Sequence, residues 1–286
     1  MNKHIALSIT IVALGGCAAD VNGIGSQKPP LTDGVSQPVE PDAEAVPSTA
    51  ATALISEAPF DPKDVELTFA AVDGADRPIE VRGCRLLSRN PGDFTYTRMA
   101  GVFSPGCSDS VDGVTRLPVD ENSEVAFTIS AAGHPNYITQ VTTDARAAEI
   151  SHMPYRLLSS ERIEAAYAAA RIEPVEQTSS VVVETAIEGG VYELLLNTTD
   201  EGPAPIYLDA EGNAAPKATT SFAKGWVVFP NVAMGLHAVS FGHATERLGL
   251  AAGMGWAGCN TGDTLVWAIP GYASLVAAIE RADGSK

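Results

Sequence analysis

The chain has 286 residues, 45% of them hydrophobic, and a formal net charge of -17. That charge excludes nucleic acid and flat docking on anionic lipid, since both partners are themselves polyanionic. The hydrophobic share supports a packed core, and 26 Gly with 19 Pro suit strands and turns better than long helices.

The chain opens with Lys3 and a short apolar run, Ile5 to Leu14, broken only by Ser8 and Thr10. About ten apolar residues are too few to cross a bilayer, which takes roughly 20. A charged start, a short apolar stretch and small residues at its end read as a signal peptide over 1-16. The stretch Leu14-Gly15-Gly16-Cys17 resembles the lipobox of bacterial lipoproteins. The resemblance implies cleavage before Cys17, lipid on its thiol and a stable membrane anchor, because two or more acyl chains hold where one does not. Ala18 implies the outer membrane of a host that has two. The alternative is an ordinary secretory signal in which Cys17 is incidental.

Residues 17-60 follow as anchor and linker. Pro29, Pro30, Pro38, Pro41, Pro47 and Pro59 interrupt every regular period, aromatics are nearly absent and acids outnumber Lys28. Such composition cannot offset the entropy of ordering, and predicts a disordered tether with a reach of roughly 35 Å.

Three cysteines remain after Cys17: Cys84, Cys107 and Cys259. An exported chain meets an oxidising compartment, so a Cys84-Cys107 disulfide is expected within one domain, closing a loop for roughly 3 kcal/mol. Cys259 is left over.

Residues 61-150 read as a first β-sandwich. Val65, Leu67, Phe69 and Ala71 alternate with polar residues, and Asp73-Gly74 supplies a turn. Strands are expected over Ile79-Leu87, Phe94-Phe103 and Glu124-Ala131, with another resuming at Tyr137. The run Val125 to Tyr137, through Gly133-His134-Pro135-Asn136, resembles the strand-turn-strand of carboxypeptidase regulatory-like domains. That resemblance implies a transthyretin-like seven-stranded sandwich.

Residues 151-177 form a connector with a helix over about 159-173. Ser160 is a candidate cap, Ile163, Ala166, Tyr167 and Ala170 recur at helical spacing, and Pro174 stops the helix. Its narrow, Ala-rich stripe predicts packing on a sandwich rather than partner binding.

Residues 178-282 read as a second sandwich, with strands over Ser180-Ile187, Val191-Leu196 and Ile206-Asp209. In the stretch Thr219 to Phe241, Trp226 and Val228 should share one face, with Val227 and Phe229 on the other. Leu236, Ala238 and Ser240 alternate with His237, Val239 and Phe241. With Tyr207 to Asn213, this stretch resembles the central hairpin of the same regulatory-like family. The resemblance implies a fold and no peptidase activity.

No motif points to a reaction. Gly253-Met-Gly255-Trp-Ala-Gly258 matches G-x-G-x-x-G, but a turn sequence follows it where a dinucleotide site needs a helix. His134, His152, His237 and His243 have no ligand spacing, and no nucleophile elbow occurs. Asp73 with Asp76, and Asp109 with Asp112-Gly113, could hold calcium but read better as turns. Tyr207, Trp226, Trp256 and Trp267 could form a sugar platform if they share an exposed face, but alternation within strands favours core packing.

The sequence therefore predicts an all-β protein of two antiparallel sandwich domains joined by a short helix. It has no cofactor, no metal site and no catalytic residues. It is anchored to the membrane through Cys17 and presents a non-catalytic binding or structural module to a protein or glycan partner. The alternatives are an envelope hydrolase with an unrecognised site and a carbohydrate-binding module.

Overall fold

The computed structural model describes residues 64-89, 96-99, 106-143, 149-151, 154-197, 200-250, 256-257 and 263-281. All fall in one compact unit, Pro62–Lys286. The signal peptide, Cys17 and the tether lie outside the described residues, as do His152 and Cys259.

Among the described residues the strands of the first half are β1 (Asp64–Val72), β2 (Arg82–Arg89), β3 (Tyr96–Met99), β4 (Cys107–Asp109), β5 (Val114–Asp120), β6 (Glu124–Ser130), β7 (Tyr137–Thr142), β8 (Glu149–Ser151) and β9 (Tyr155–Arg156). Helix α1 (Ser160–Ala170) follows. The second half contributes β10 (Ser179–Thr185), β11 (Val191–Leu196), β12 (Asp200–Glu201), β13 (Ile206–Leu208), β14 (Trp226–Val232), β15 (Gly235–Gly242), β16 (Leu248–Leu250), β17 (Trp256–Ala257), β18 (Asp263–Ala268) and β19 (Ala273–Arg281). The described residues are all-β with one short helix, as expected.

Among the described residues the strands form three sheets. The central one has ten strands in the order β13-β14-β10-β19-β7-β6-β2-β3, with β16 beside β19 and β4 beside β2. A smaller sheet, β5-β1-β8 with β9 also on β1, packs on the central sheet through the first core. A five-stranded sheet, β12-β11-β15-β18-β17, supplies the second core. Most ladders are antiparallel, but β1 pairs β8 and β9 in parallel, and β19 pairs both β10 and β7 in parallel.

Side-chain alternation explains the layering. Along β14, Trp226 and Val228 enter the first core while Val227 and Phe229 enter the second, as the period-two reading requires. Val182 of β10 joins the first core and Val181 and Val183 the second, so this strand is buried on both faces and reads as a continuous Val run. In β5, Thr115, Leu117 and Val119 are buried while Arg116 and Pro118 are exposed. Pro118 is tolerated because β5 is an edge strand.

The segments expected as domains, 61-150 and 178-282, are joined through the central sheet. Strands of both halves share the central sheet, and the first core draws on Leu67, Phe127 and Tyr137 as well as Val182, Trp226 and Leu275. The cause is β19. Its Ala273 and Ser274 pair with Tyr137 and Ile138 of β7, while residues from Ala273 to Ile279 pair with β10. The Ala-rich C-terminal run carries too little alternation to announce that bridging strand.

Helix α1 is the connector's expected helix, one residue offset at its cap. Ser159 rather than Ser160 caps it, its hydroxyl accepting from the Arg162 amide. Arg171, in the left-handed region, ends it before Pro174 is reached. Ala166 and Tyr167 are buried in the first core. The Tyr167 hydroxyl accepts from the Asn231 amide at 3.0 Å and lies 2.8 Å from Ser180 Oγ, tying the helix to β14 and β10.

Candidate functional site

The expected disulfide forms. Cys84 and Cys107 face each other across the β2-β4 ladder, with Cα atoms 4.0 Å apart.

The four-residue aromatic platform does not assemble. Trp226 is fully buried in the first core and Tyr207 in the second, on opposite faces of the same sheet. Trp226 is pinned by the guanidinium of Arg156, 4.3 Å from its ring centroid. The Tyr207 hydroxyl accepts from the Tyr192 amide, and burial raises its phenol pKa. Trp267 is half-buried against Ala238 and Leu265. Trp256 opposes Leu265, which places it by register on the same face as Trp267; its side chain is outside the described residues. Alternation in a doubly covered sheet buries an aromatic whichever face it takes, which removes Trp226 and Tyr207 from any exposed surface.

The acidic turns are structural. Asp73 Oδ1 accepts from the Ala75 and Arg77 amides and Oδ2 from Arg77 Nε. The Arg77 guanidinium holds the Asp73 carboxyl at about 2. A second turn repeats the pattern: Asp209 Oδ1 accepts from the Glu211 and Asn213 amides and Oδ2 from Asn213 Nδ2. Asp76 is held by Arg156 at 3.1 Å and Lys224 at 3.4 Å, and Asp109 by Arg82 at 3.3 Å. These carboxylates face cations of the protein itself. Among the described residues no three His, Cys, Asp or Glu side chains gather as metal ligands.

The densest polar node is Arg156, which sequence reading did not single out. It is 7% exposed. It donates to the carbonyls of Lys224 at 2.6 Å, Gly74 at 3.4 Å and Ala210 at 3.5 Å, with Glu184 3.8 Å away. It therefore ties both Asp turns to β14 and β10. Its position just before the apolar pair Leu157-Leu158 was the available signal, since an arginine inside a buried segment needs partners.

The histidines also bind backbone. His134 Nδ1 lies 2.9 Å from the Ala132 carbonyl. His237 is 1% exposed and contacts the Asn197 amide and the Ala233 carbonyl; burial lowers its pKa. His243 contacts the Glu188 carbonyl and the Thr245 and Glu246 amides. Buried phenols are equally unsuited to acid-base work: desolvation pushes Tyr192 up to about 12 and raises Tyr137 and Tyr155 further. In the Gly253-Gly258 motif, Trp256 and Ala257 are extended strand, where a dinucleotide site needs a helix.

Shallow clefts lie on the surface of the described residues. One, of about 430 Å³, is lined by Glu80, Arg82, Asp109, Ser110 and Ser130 among others. Another, of about 470 Å³, lies between the end of α1 and β13, against Arg171, Ile172, Pro205 and Pro216.

The sheets define a β-sandwich scaffold. No family model matches the sequence, and no curated protein does either. Among solved structures, the chain is similar to the minor pilin GBS52 of Streptococcus agalactiae, at 10% identity over 78% of this chain and 98% of that one, with a TM-score of 0.25. It is similar to a streptococcal ancillary pilin at 7% identity over 77% and 69% of the two chains, with a TM-score of 0.24. The Bacillus anthracis TIE protein shows 8% identity over 76% of this chain, with a TM-score of 0.23; the chain spans 34% of its length. The class therefore rests on the sheets themselves, and no family is assigned.

Proposed function

We propose that the chain is a non-catalytic lipoprotein of the bacterial cell envelope, a structural or binding head held on a long acidic tether by lipid on Cys17. The observation supporting a non-catalytic head is the use of its polar side chains. Asp73, Asp209, Arg156, His237 and His243 all hydrogen-bond the protein's own backbone. A reaction needs such groups free to meet a substrate. The lipobox supports the anchor, and its resemblance implies the outer membrane. The regulatory-like ancestry proposed for the head rests on the Val125-Tyr137 and Thr219-Phe241 stretches. Its contacts with a protein or glycan partner would fall on loops and strand edges.

The test compares wild type with Cys17→Ser in bacterial cells fed an alkyne analogue of palmitate. Label and membrane association should both vanish in the variant. Label retained by Cys17→Ser, or an unlabelled wild type, would remove the lipoprotein reading. Crosslinking in intact envelopes then identifies the partner. If purified head hydrolyses envelope polymers, the non-catalytic reading fails.

A further inference from the structure

We propose that His237 and His243 form a double clasp that pins β11 to its surroundings at both ends, and that protonation of His237 loosens the end it holds. The β11-β15 ladder runs from Val191 opposite Gly242 to Leu195 opposite Ala238. One histidine stands at each end of it. At the first, His237 Nδ1 accepts from the Asn197 amide at 3.0 Å, just past the end of β11, and Nε2 lies 2.8 Å from the Ala233 carbonyl. At the other, His243 Nδ1 accepts from the Thr245 amide at 3.2 Å and the Glu246 amide at 3.0 Å. Its Nε2 lies 3.1 Å from the Glu188 carbonyl, just before β11.

These partners fix the proton. A ring nitrogen that accepts from an amide carries its lone pair there, so the hydrogen of each neutral ring is on Nε2 and is donated to the carbonyl. Only that tautomer satisfies all the contacts. A second proton on Nδ1 sets N–H against N–H at both ends of the ladder. The fit at His243 is close, since a Cβ on Gly189 would come within 2.9 Å of its Nε2, and Gly189 has a φ of 87°.

The surroundings decide how readily His237 charges. By register, Val266 of β18 opposes His237, and beyond Leu196 on the same face lies Asp200 of β12, the charged group on that face. Glu193 and Glu201 belong to the opposite face. The charged residues of the segments that His243 joins are Glu188, Glu246 and Arg247. Burial opposes charge at His237, whose lowered pKa makes the clasp stable near neutrality.

Amide hydrogen exchange on the whole chain, followed by NMR from pH 7.5 to 5, tests the clasp. Protection at Asn197 should fall by up to about tenfold per pH unit below the ordinary histidine value of about 6.5, while Val182 and Val228 in the central sheet hold theirs. In the variant His237→Gln, protection at Asn197 should be independent of pH. The same fall in the variant, or none in wild type, overturns the proposal. Nitrogen shifts of the wild-type rings give a test that needs no variant. The neutral form of both rings should be the Nε2–H tautomer, and an Nδ1–H ring would refute the clasp.

Discussion

Replacing Arg156 by alanine is the sharpest test of how this fold is held. The guanidinium is nearly buried, with Asp76 at 3.1 Å, Glu184 at 3.8 Å and the Trp226 ring at 4.3 Å. Asp76 is more than half exposed, so its share is screened and small. Glu184 is about one-tenth exposed, and removing the cation beside a buried carboxylate costs about 3 kcal/mol at the low end of such changes. The arginine's stacking on a buried Trp contributes about another 1 kcal/mol. The expected loss is about 4 kcal/mol, a large part of the roughly 5–15 kcal/mol that a domain has. Arg156→Lys keeps the charge but not the fork that reaches three carbonyls, and should lose about half as much. Urea unfolding reads both values as midpoint shifts at constant slope. In the Arg156→Ala background, Glu184→Gln should recover part of the loss, because the carboxylate no longer has to be buried charged. A loss below about 1 kcal/mol for Arg156→Ala, or no coupling to Glu184, would show that the node is not what joins the two halves.

Removing the disulfide through Cys84→Ala and Cys107→Ala should cost about 3 kcal/mol, given a sequence separation of 23. Thermal melting with and without reductant checks this, and a wild type indifferent to reductant would contradict it. Asp73 titrates at about 2 when folded, below the ordinary 3.8. Its contribution is complete above pH 3.8 and is lost as pH falls towards 2. Melting temperatures between pH 5 and 2 should therefore drop less steeply for Asp73→Asn than for wild type; equal slopes would exclude Asp73 as the acid-sensitive group.

The sequence made the alternating strands legible because each has one pattern per face. β1, β6, β11, β14 and β15 fall where alternation places them, and the split of Trp226 and Val228 from Val227 and Phe229 is the one observed. β5 was hidden by Pro118, which ordinarily demotes a strand and here marks an edge. β8, β9 and β12 are too short to show a period. The roles of His237 and His243 were not legible, since their partners are backbone atoms of other segments and leave no trace in residue spacing. The burial of Trp226 and Tyr207 was legible, because alternation within their strands favours core packing over a platform. Residue type makes Trp226 and Tyr207 attractive for a ligand, while their place in strands with two covered faces commits them to the cores.

The two Asp turns carry the deeper reason why the halves are one body. Asp73-Gly74-Ala75-Asp76-Arg77 and Asp209-Ala210-Glu211-Gly212-Asn213 share little sequence but one set of bonds. In each, the first amide donates to the fifth carbonyl at 3.0 Å, and the fourth amide donates back to the first carbonyl at 3.0 Å. The fourth residue is left-handed in both, Gly212 in one and Asp76 in the other. An aspartate in that conformation is costlier than a glycine, and Asp76 answers with its contacts to Arg156 and Lys224. The second residue of each turn, Gly74 or Ala210, offers its carbonyl to the same guanidinium. Two equivalent corners, one from each half, thus meet on one buried arginine. A seam between independent domains would leave such corners facing water, where their carbonyls need no shared donor. Bringing them together desolvates them, and Arg156, with several N–H donors on one rigid plane, is the side chain suited to satisfy both at once. The joint sheet through β19 and the joint donor at Arg156 are therefore two parts of the same closure: the strand fixes the halves in register, and the arginine satisfies what that register buries.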